Sequence, residues 1–131
     1  MTLMHASTVA IDGRAVVIRG AAGSGKSDLS LRLIDEGARL VSDDQTEISS
    51  DGKTLTARAP KAISGQLEVR GLGVVTLPAA EDAPVALVVD LVPPELIERL
   101  PVSATETILG IELPLLLLSP FEASATAKLR L

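Results

Sequence analysis

The sequence holds a single aromatic residue, Phe121, among 131, with no tryptophan and no tyrosine. A single-strand nucleic-acid binder that stacks bases on aromatic platforms is therefore disfavoured. An adenine ring would meet few flat partners, so phosphate contacts are expected to dominate nucleotide binding and base selectivity to be loose. Cysteine is absent, which removes disulfides and thiolate metal sites and fits a reducing compartment. Histidine occurs once, at His5. Positive charge is in deficit: 12 Lys and Arg against 17 Asp and Glu give a net charge of −5. Nucleic-acid surfaces are basic, so no nucleic-acid partner is expected. The first residues lack the charged and apolar tandem of a signal peptide. The apolar run at residues 115–118 is far too short to span a bilayer. The reading is a cytoplasmic protein with no membrane partner.

What is present is a core and a glycine motif. Hydrophobic residues make up 47% of the chain, enough for one domain over residues 1–131 and not comfortably for two. Residues 20–27 read GAAGSGKS, which fits Gly, four residues, Gly-Lys-Ser. A β-branched run at residues 15–19 precedes it and a helical pattern follows, which is the strand–loop–helix context the motif requires. Gly20, Gly23 and Gly25 let the backbone turn tightly and approach a ligand without Cβ obstruction. The loop amides form a nest for phosphate oxygens, and the helix start adds unpaired N–H groups. Lys26 is placed to reach the β- and γ-phosphates and the Ser27 hydroxyl to ligate Mg²⁺. That context disfavours a chance glycine turn.

Residues 4–11 (MHASTVAI) and 15–18 read as strands joined by the turn signal Asp12-Gly13. His5 would begin the strand beside the one that carries the loop, unless it is merely a solvated terminal histidine. Residues 27–36 form an apolar helical stripe closed by Gly37. A short strand over 38–41 then runs out into Ser42-Asp43-Asp44. This βαβ order predicts two parallel strands in one sheet, with both carboxylates on the edge that carries the loop. Neighbouring side chains on a strand point to opposite sides, so the pair should divide its work. One could serve a metal-bound water, the other could accept a proton in phosphoryl transfer; a polar turn is the bland alternative. Short strands follow at 46–48, 54–57, 66–69 and 74–77. Glu68 and Arg70 fall on one face ahead of Gly71 and Gly73, a place for ligand approach or for a solvated face with an ion pair. On the residues by themselves the second reading is favoured. Residues 78–84 read as a loop, 85–91 as a central strand, 95–100 as a brief helix, 105–109 and 112–118 as paired strands, and 124–131 as a final strand.

The residues resemble the catalytic domain of HPr kinase/phosphorylase, which acts on a serine of the phosphocarrier HPr. The resemblance rests on His-Ala-Ser at 5–7, GAAGSGKS at 20–27, Glu36-Gly37, the run from Arg39 to Asp44, Leu67-Glu68-Val69-Arg70-Gly71-Leu72-Gly73-Val74, and the run from Ile108 to Pro114. It implies a P-loop α/β fold with a mixed twisted β-sheet and few helices, like HPr kinase and phosphoenolpyruvate carboxykinase. It implies ATP and Mg²⁺ as cofactors, HPr as the partner, and the possibility of a homo-oligomer. Gly20, Ala21, Ala22, Gly23, Ser24, Gly25, Lys26 and Ser27 would bind the nucleotide, and Ser27 and Glu68 the metal. His5, Lys26, Asp44 and Arg99 would be catalytic, with Asp44 as the proton acceptor; Arg99 follows Glu68 at a shorter spacing than in long members.

Departures from the family are equally definite. Only four residues precede His5, which implies the short form lacking the N-terminal domain. The family's late Pro-Val-Arg-Pro-Gly-Arg loop reads Ser119-Pro120-Phe121-Glu122-Ala123-Ser124. Both arginines are missing, and a carboxylate would repel transferring phosphate. Kinase activity is thus the expectation, and phosphorylase activity is disfavoured. Two rivals remain: a nucleotide-sensing module without transfer, and a small-molecule kinase of the phosphate-loop type.

Overall fold

A computed structural model describes residues 1–97, 103–122 and 124–130. Three strands set the frame. β2 (Ala6–Ile11) and β3 (Arg14–Arg19) form an antiparallel hairpin in register from Ala6↔Arg19 to Ile11↔Arg14. The turn residues Asp12 and Gly13 both have positive φ, 51° and 78°, the geometry that matches the twist of a two-residue hairpin. β9 (Ala83–Leu91) pairs in parallel with β3. Its near-continuous apolar sequence is what a strand covered on both faces requires.

The sheet grows outward from this frame. Beyond β2 lies β4 (Arg39–Ser42), antiparallel to it and therefore parallel to β3. The two strands of the expected βαβ unit are thus parallel in one sheet, with β2 between them. The far edge of β9 is shared. Its start pairs with β6 (Leu55–Arg58), which continues into β5 (Thr46–Ser50) and β1 (Thr2–Met4). Its end pairs in parallel with β11 (Ile111–Leu118), which carries β10 (Ala104–Ile108) outside it. A separate hairpin is formed by β7 (Gln66–Val69) and β8 (Gly73–Thr76).

Alternation along β3 sorts the core into two halves. Ala15 and Val17 face a cluster with Val41, Ile48, Leu55 and Val88. Val16 and Ile18 face the other, with Val89, Leu118 and the helix α1 (Lys26–Asp35) through Leu29 and Leu33. Leu29 and Leu33 stand one turn apart and are fully buried, each contributing about 1.5–3 kcal/mol by leaving water. α1 closes as a glycine-terminated helix should. Ala38 N–H donates to Leu33 O and Gly37 N–H to Ile34 O, both at 3.0 Å, with Gly37 at φ 109°.

Four readings are corrected. Residues 125–130 are not a strand but helix α2 (Ala125–Arg130). Ala125 and Leu129, four apart, are buried in the cluster around Leu29 and Leu33. Thr126 is buried beside them, and a strand would turn the adjacent Ala125 and Thr126 to opposite faces, where a helix buries Ala125, Thr126 and Leu129 on one side. The first strand is broken: β1 and β2 flank a bend at His5 and take different partners, β5 and β3. The brief helix expected at 95–100 is a 3₁₀ turn at Pro94–Leu96, with residues 98–100 outside the described region. The loop at 78–84 is shorter than expected, because β9 begins at Ala83 and Ala79 bridges Leu40.

Candidate active site

β3, β4, β9 and β11 run in one direction, so their C-terminal ends share an edge. On that edge lie the glycine loop after β3, Asp43-Asp44 after β4, Asp90 in β9, and Ser119 to Glu122 after β11. In open α/β sheets ligands are taken in the crevice at this edge.

The glycine loop needs its glycines at identifiable places. Gly23 and Gly25 have φ of 79° and 102°, a region that side chains with a Cβ rarely enter. Gly20 needs space: a Cβ there would lie 2.4 Å from Ser24 Oγ and 3.3 Å from Leu91 Cβ. Gly25 also caps the start of α1. Lys26 is buried, and its Nζ donates to Gly20 O at 2.8 Å and Ala21 O at 3.3 Å. Its charge is therefore curled over the loop's own backbone. The donor types suit a phosphate group, since a loop with left-handed glycines leads into a helix start with unpaired amides, and an ammonium is held at that loop.

The two neighbouring aspartates have separate surroundings. Asp43 is buried, and its Oδ1 accepts from Ser27 Oγ (2.7 Å) and Ser7 Oγ (2.9 Å). Its Oδ2 accepts from the Glu68 N–H at 3.1 Å. One carboxylate thus joins the start of α1, strand β2 and the β7–β8 hairpin. Asp44 is 58% exposed, with Oδ1 at 2.8 Å from His5 Nε2 and 3.8 Å from Lys26 Nζ. Its φ of 63° is left-handed, a conformation aspartate tolerates better than most residues. Its N–H donates to Ser7 Oγ at 3.0 Å. Ser7 therefore fixes both aspartates at once.

Asp43, Asp44, Gln45, Gln66 and Glu68 line one cleft of about 270 Å³. The structure brings together His5, Lys26, Ser27, Asp44 and Glu68 around this corner. Arg99 lies outside the described residues. Ser27 and Glu68 share a neighbour: Asp43 accepts from the hydroxyl of one and from the backbone N–H of the other, and a hydroxyl and a carboxylate are oxygen donors of the kind a magnesium ion takes. Among the described residues no group of three or more His, Asp and Glu side chains is gathered closely enough to hold a metal without further ligands.

Two features were not singled out as site residues. Ser7 carried no signal beyond its place beside His5. Asp90 did carry one: a charged residue ending the apolar strand next to the loop strand. The Arg19 guanidinium grips it with Nε and Nη2, at 2.7 and 2.9 Å to its two oxygens, and Glu106 at 3.1 Å with Nη1. The hydrogen bond to Asp90 and the two negative charges raise the Arg19 pKa above its ordinary value against partial burial. This clamp ties β3 to β9 directly ahead of the glycine loop. At the end of β11, the Glu122 carboxylate ion-pairs with Lys128 at 2.6 Å.

A family model described as the HPr Serine kinase C-terminal domain matches residues 1–127. An HPr kinase/phosphorylase from Clostridium acetobutylicum is 42% identical over 78 residues, 60% of this chain and 26% of that protein. One from an Exiguobacterium species is 46% identical over 76 residues, 57% of this chain and 24% of that protein. The chain thus matches about a quarter of the length of these curated relatives. A solved structure, the Hpr(Ser) kinase/phosphatase from Coxiella burnetii, superposes with a TM-score of 0.87 at 31% identity, covering 98% of this chain and 91% of that one. Among the described residues no helix is long and apolar enough to cross a membrane.

Proposed function

The chain belongs to the HPr serine kinase C-terminal domain family, and from that premise we propose that it transfers the γ-phosphoryl group of ATP to a serine hydroxyl of HPr, acting in the cytoplasm as a single P-loop kinase domain. One observation carries this reading: Asp44 Oδ1 stands 2.8 Å from His5 and 3.8 Å from Lys26 at the mouth of a cleft that Glu68 also lines. A proton acceptor, a phosphate-binding cation and an acidic partner thus meet at one corner of a glycine loop.

The roles follow from surroundings. The amides of Gly20 to Ser27 cradle the phosphates, and Lys26 swings from the Gly20 and Ala21 carbonyls onto their oxygens. A magnesium ion, held by the Ser27 hydroxyl and Glu68, would neutralise charge on the phosphate chain. The serine oxygen bonds to the γ-phosphorus as the bond to the ADP oxygen breaks, and the serine proton passes to Asp44. Exposure suits Asp44 to this task, since an incoming protein can reach it; Asp43 is committed to three bonds and is not the base. His5 orients the Asp44 carboxylate. Positioning and charge stabilisation supply most of the rate effect in such transfers. Arg99 is assigned a supporting charge near the transferred group on resemblance alone. The kinase direction is preferred over phosphorolysis, because residues 119–122 offer no arginine to the phosphate.

The test is Asp44→Asn, assayed with radiolabelled ATP, Mg²⁺ and purified HPr. Nucleotide binding should persist and phosphoserine formation should fall by at least a hundredfold. Near-normal transfer by that variant would remove Asp44 as the base. A wild type that binds ATP yet labels no protein would favour a sensing module, and label in small products a small-molecule kinase.

A further inference from the structure

The only aromatic side chain of the protein stands against the glycine loop. Phe121 is 73% exposed, yet its Cζ and Cε1 lie 3.1 and 3.3 Å from where a Cβ on Gly25 would be. The segment is fixed through its backbone, not by burial of the ring. Arg32 of α1 donates through Nη2 to Pro120 O and through Nη1 to Glu122 O at 3.5 Å. Arg32 is itself paired with Asp28 at 3.2 Å, and Glu122 with Lys128. The residues on both sides of Phe121 are thereby tied to α1 and α2, and the ring is left projecting beside the loop.

Sheet order says which part of a ligand the ring would meet. In the order β4–β2–β3–β9–β11, Asp43 and Asp44 leave β4 on one flank of the loop strand and Phe121 leaves β11 on the other. A triphosphate lying on the loop with its γ end at Asp44 directs its nucleoside toward the β11 flank. We propose that Phe121 is the stacking platform for the base of the bound nucleoside triphosphate. This inference rests on the nucleotide reading given above, and it agrees with the expectation from composition of few flat partners and loose base selectivity. A phenyl face has no hydrogen-bonding groups, so it accepts any base; purine triphosphates should bind with similar strength.

The experiment compares ATP with inorganic tripolyphosphate, which has the phosphates and no base. Phe121→Ala should weaken ATP binding by about tenfold, within the span measured for base–aromatic stacking, and change tripolyphosphate binding less than about twofold. Because the ring is mostly exposed, thermal unfolding of the variant should match the wild type. Phe121→Trp supplies a second readout in a protein with no other tryptophan: ATP should quench its fluorescence and tripolyphosphate should not. Unchanged ATP affinity in the alanine variant, or equal losses for both ligands, would overturn the platform while leaving the nucleotide reading intact. A wild type that binds neither ligand would overturn both.

Discussion

The contrast between Asp43 and Asp44 yields a sharp stability prediction from two adjacent residues of the same type. Asp43 is buried and accepts three hydrogen bonds, from Ser27, Ser7 and the Glu68 N–H. Hydrogen bonds to a charged group contribute about 1.5–3 kcal/mol each, and a buried donor left unpaired costs about 1–3 kcal/mol. The three do not simply add. The Ser27 side chain is half-buried and its hydroxyl can turn to water, while Ser7, fully buried, has no such recourse. Asp43→Ala should therefore destabilise the fold by about 3 kcal/mol. For a chain of this size that lowers Tm by roughly 10 °C. Asp43→Asn keeps the shape and an acceptor oxygen but turns an amide N–H₂ toward one of three donors, so a loss of about 1–2 kcal/mol is expected. Asp44 holds His5 in an exposed pair, and such pairs contribute about 0–1 kcal/mol; Asp44→Ala should leave stability within that range while transfer is lost. Urea denaturation followed by far-ultraviolet circular dichroism is the assay, since there is no tryptophan to report. Equal costs for the two alanine variants, within about 0.5 kcal/mol, would refute the division of labour drawn here.

Two further outcomes bear on the loop and the last helix. Gly20→Ala should cost about 1–3 kcal/mol and weaken ATP binding, because Ser24 Oγ can rotate away from the added methyl but Leu91 Cβ, at 3.3 Å, cannot; calorimetric titration of a folded variant with wild-type affinity would show that the close approach is not needed. Leu129→Ala should cost about 2–3 kcal/mol through the cavity left against Leu29 and Leu33; an unfolding midpoint unchanged from wild type would mean that α2 does not dock there.

Much of the loop edge was legible in the chain because it rests on local rules. Glycines at fixed spacing, a β-branched run before them and an apolar stripe after them specify strand, turn and helix over about twenty residues. Asp12-Gly13 and Gly37 marked a hairpin and a helix end for the same reason: each demands a backbone conformation that few residues supply. The C-terminal segment failed on that principle. Residues 125–130 are too short for periodicity to separate helix from strand, and packing of Ala125 and Leu129 on α1 made the choice. His5 was misplaced by one residue in its element because a strand that changes partners reads, in sequence, like one that does not.

The amino-acid order alone therefore determined the family, the glycine loop and the set of candidate groups, since each is written in contiguous residues. The folded chain alone decided how those groups divide. It buried Asp43 beneath Ser7, Ser27 and Glu68, left Asp44 open beside His5 and Lys26, and brought Phe121 from the far flank of the sheet to Gly25. Burial and through-space contact depend on which strands lie side by side, and the crossovers that bring distant residues to one edge leave no periodic trace along the chain.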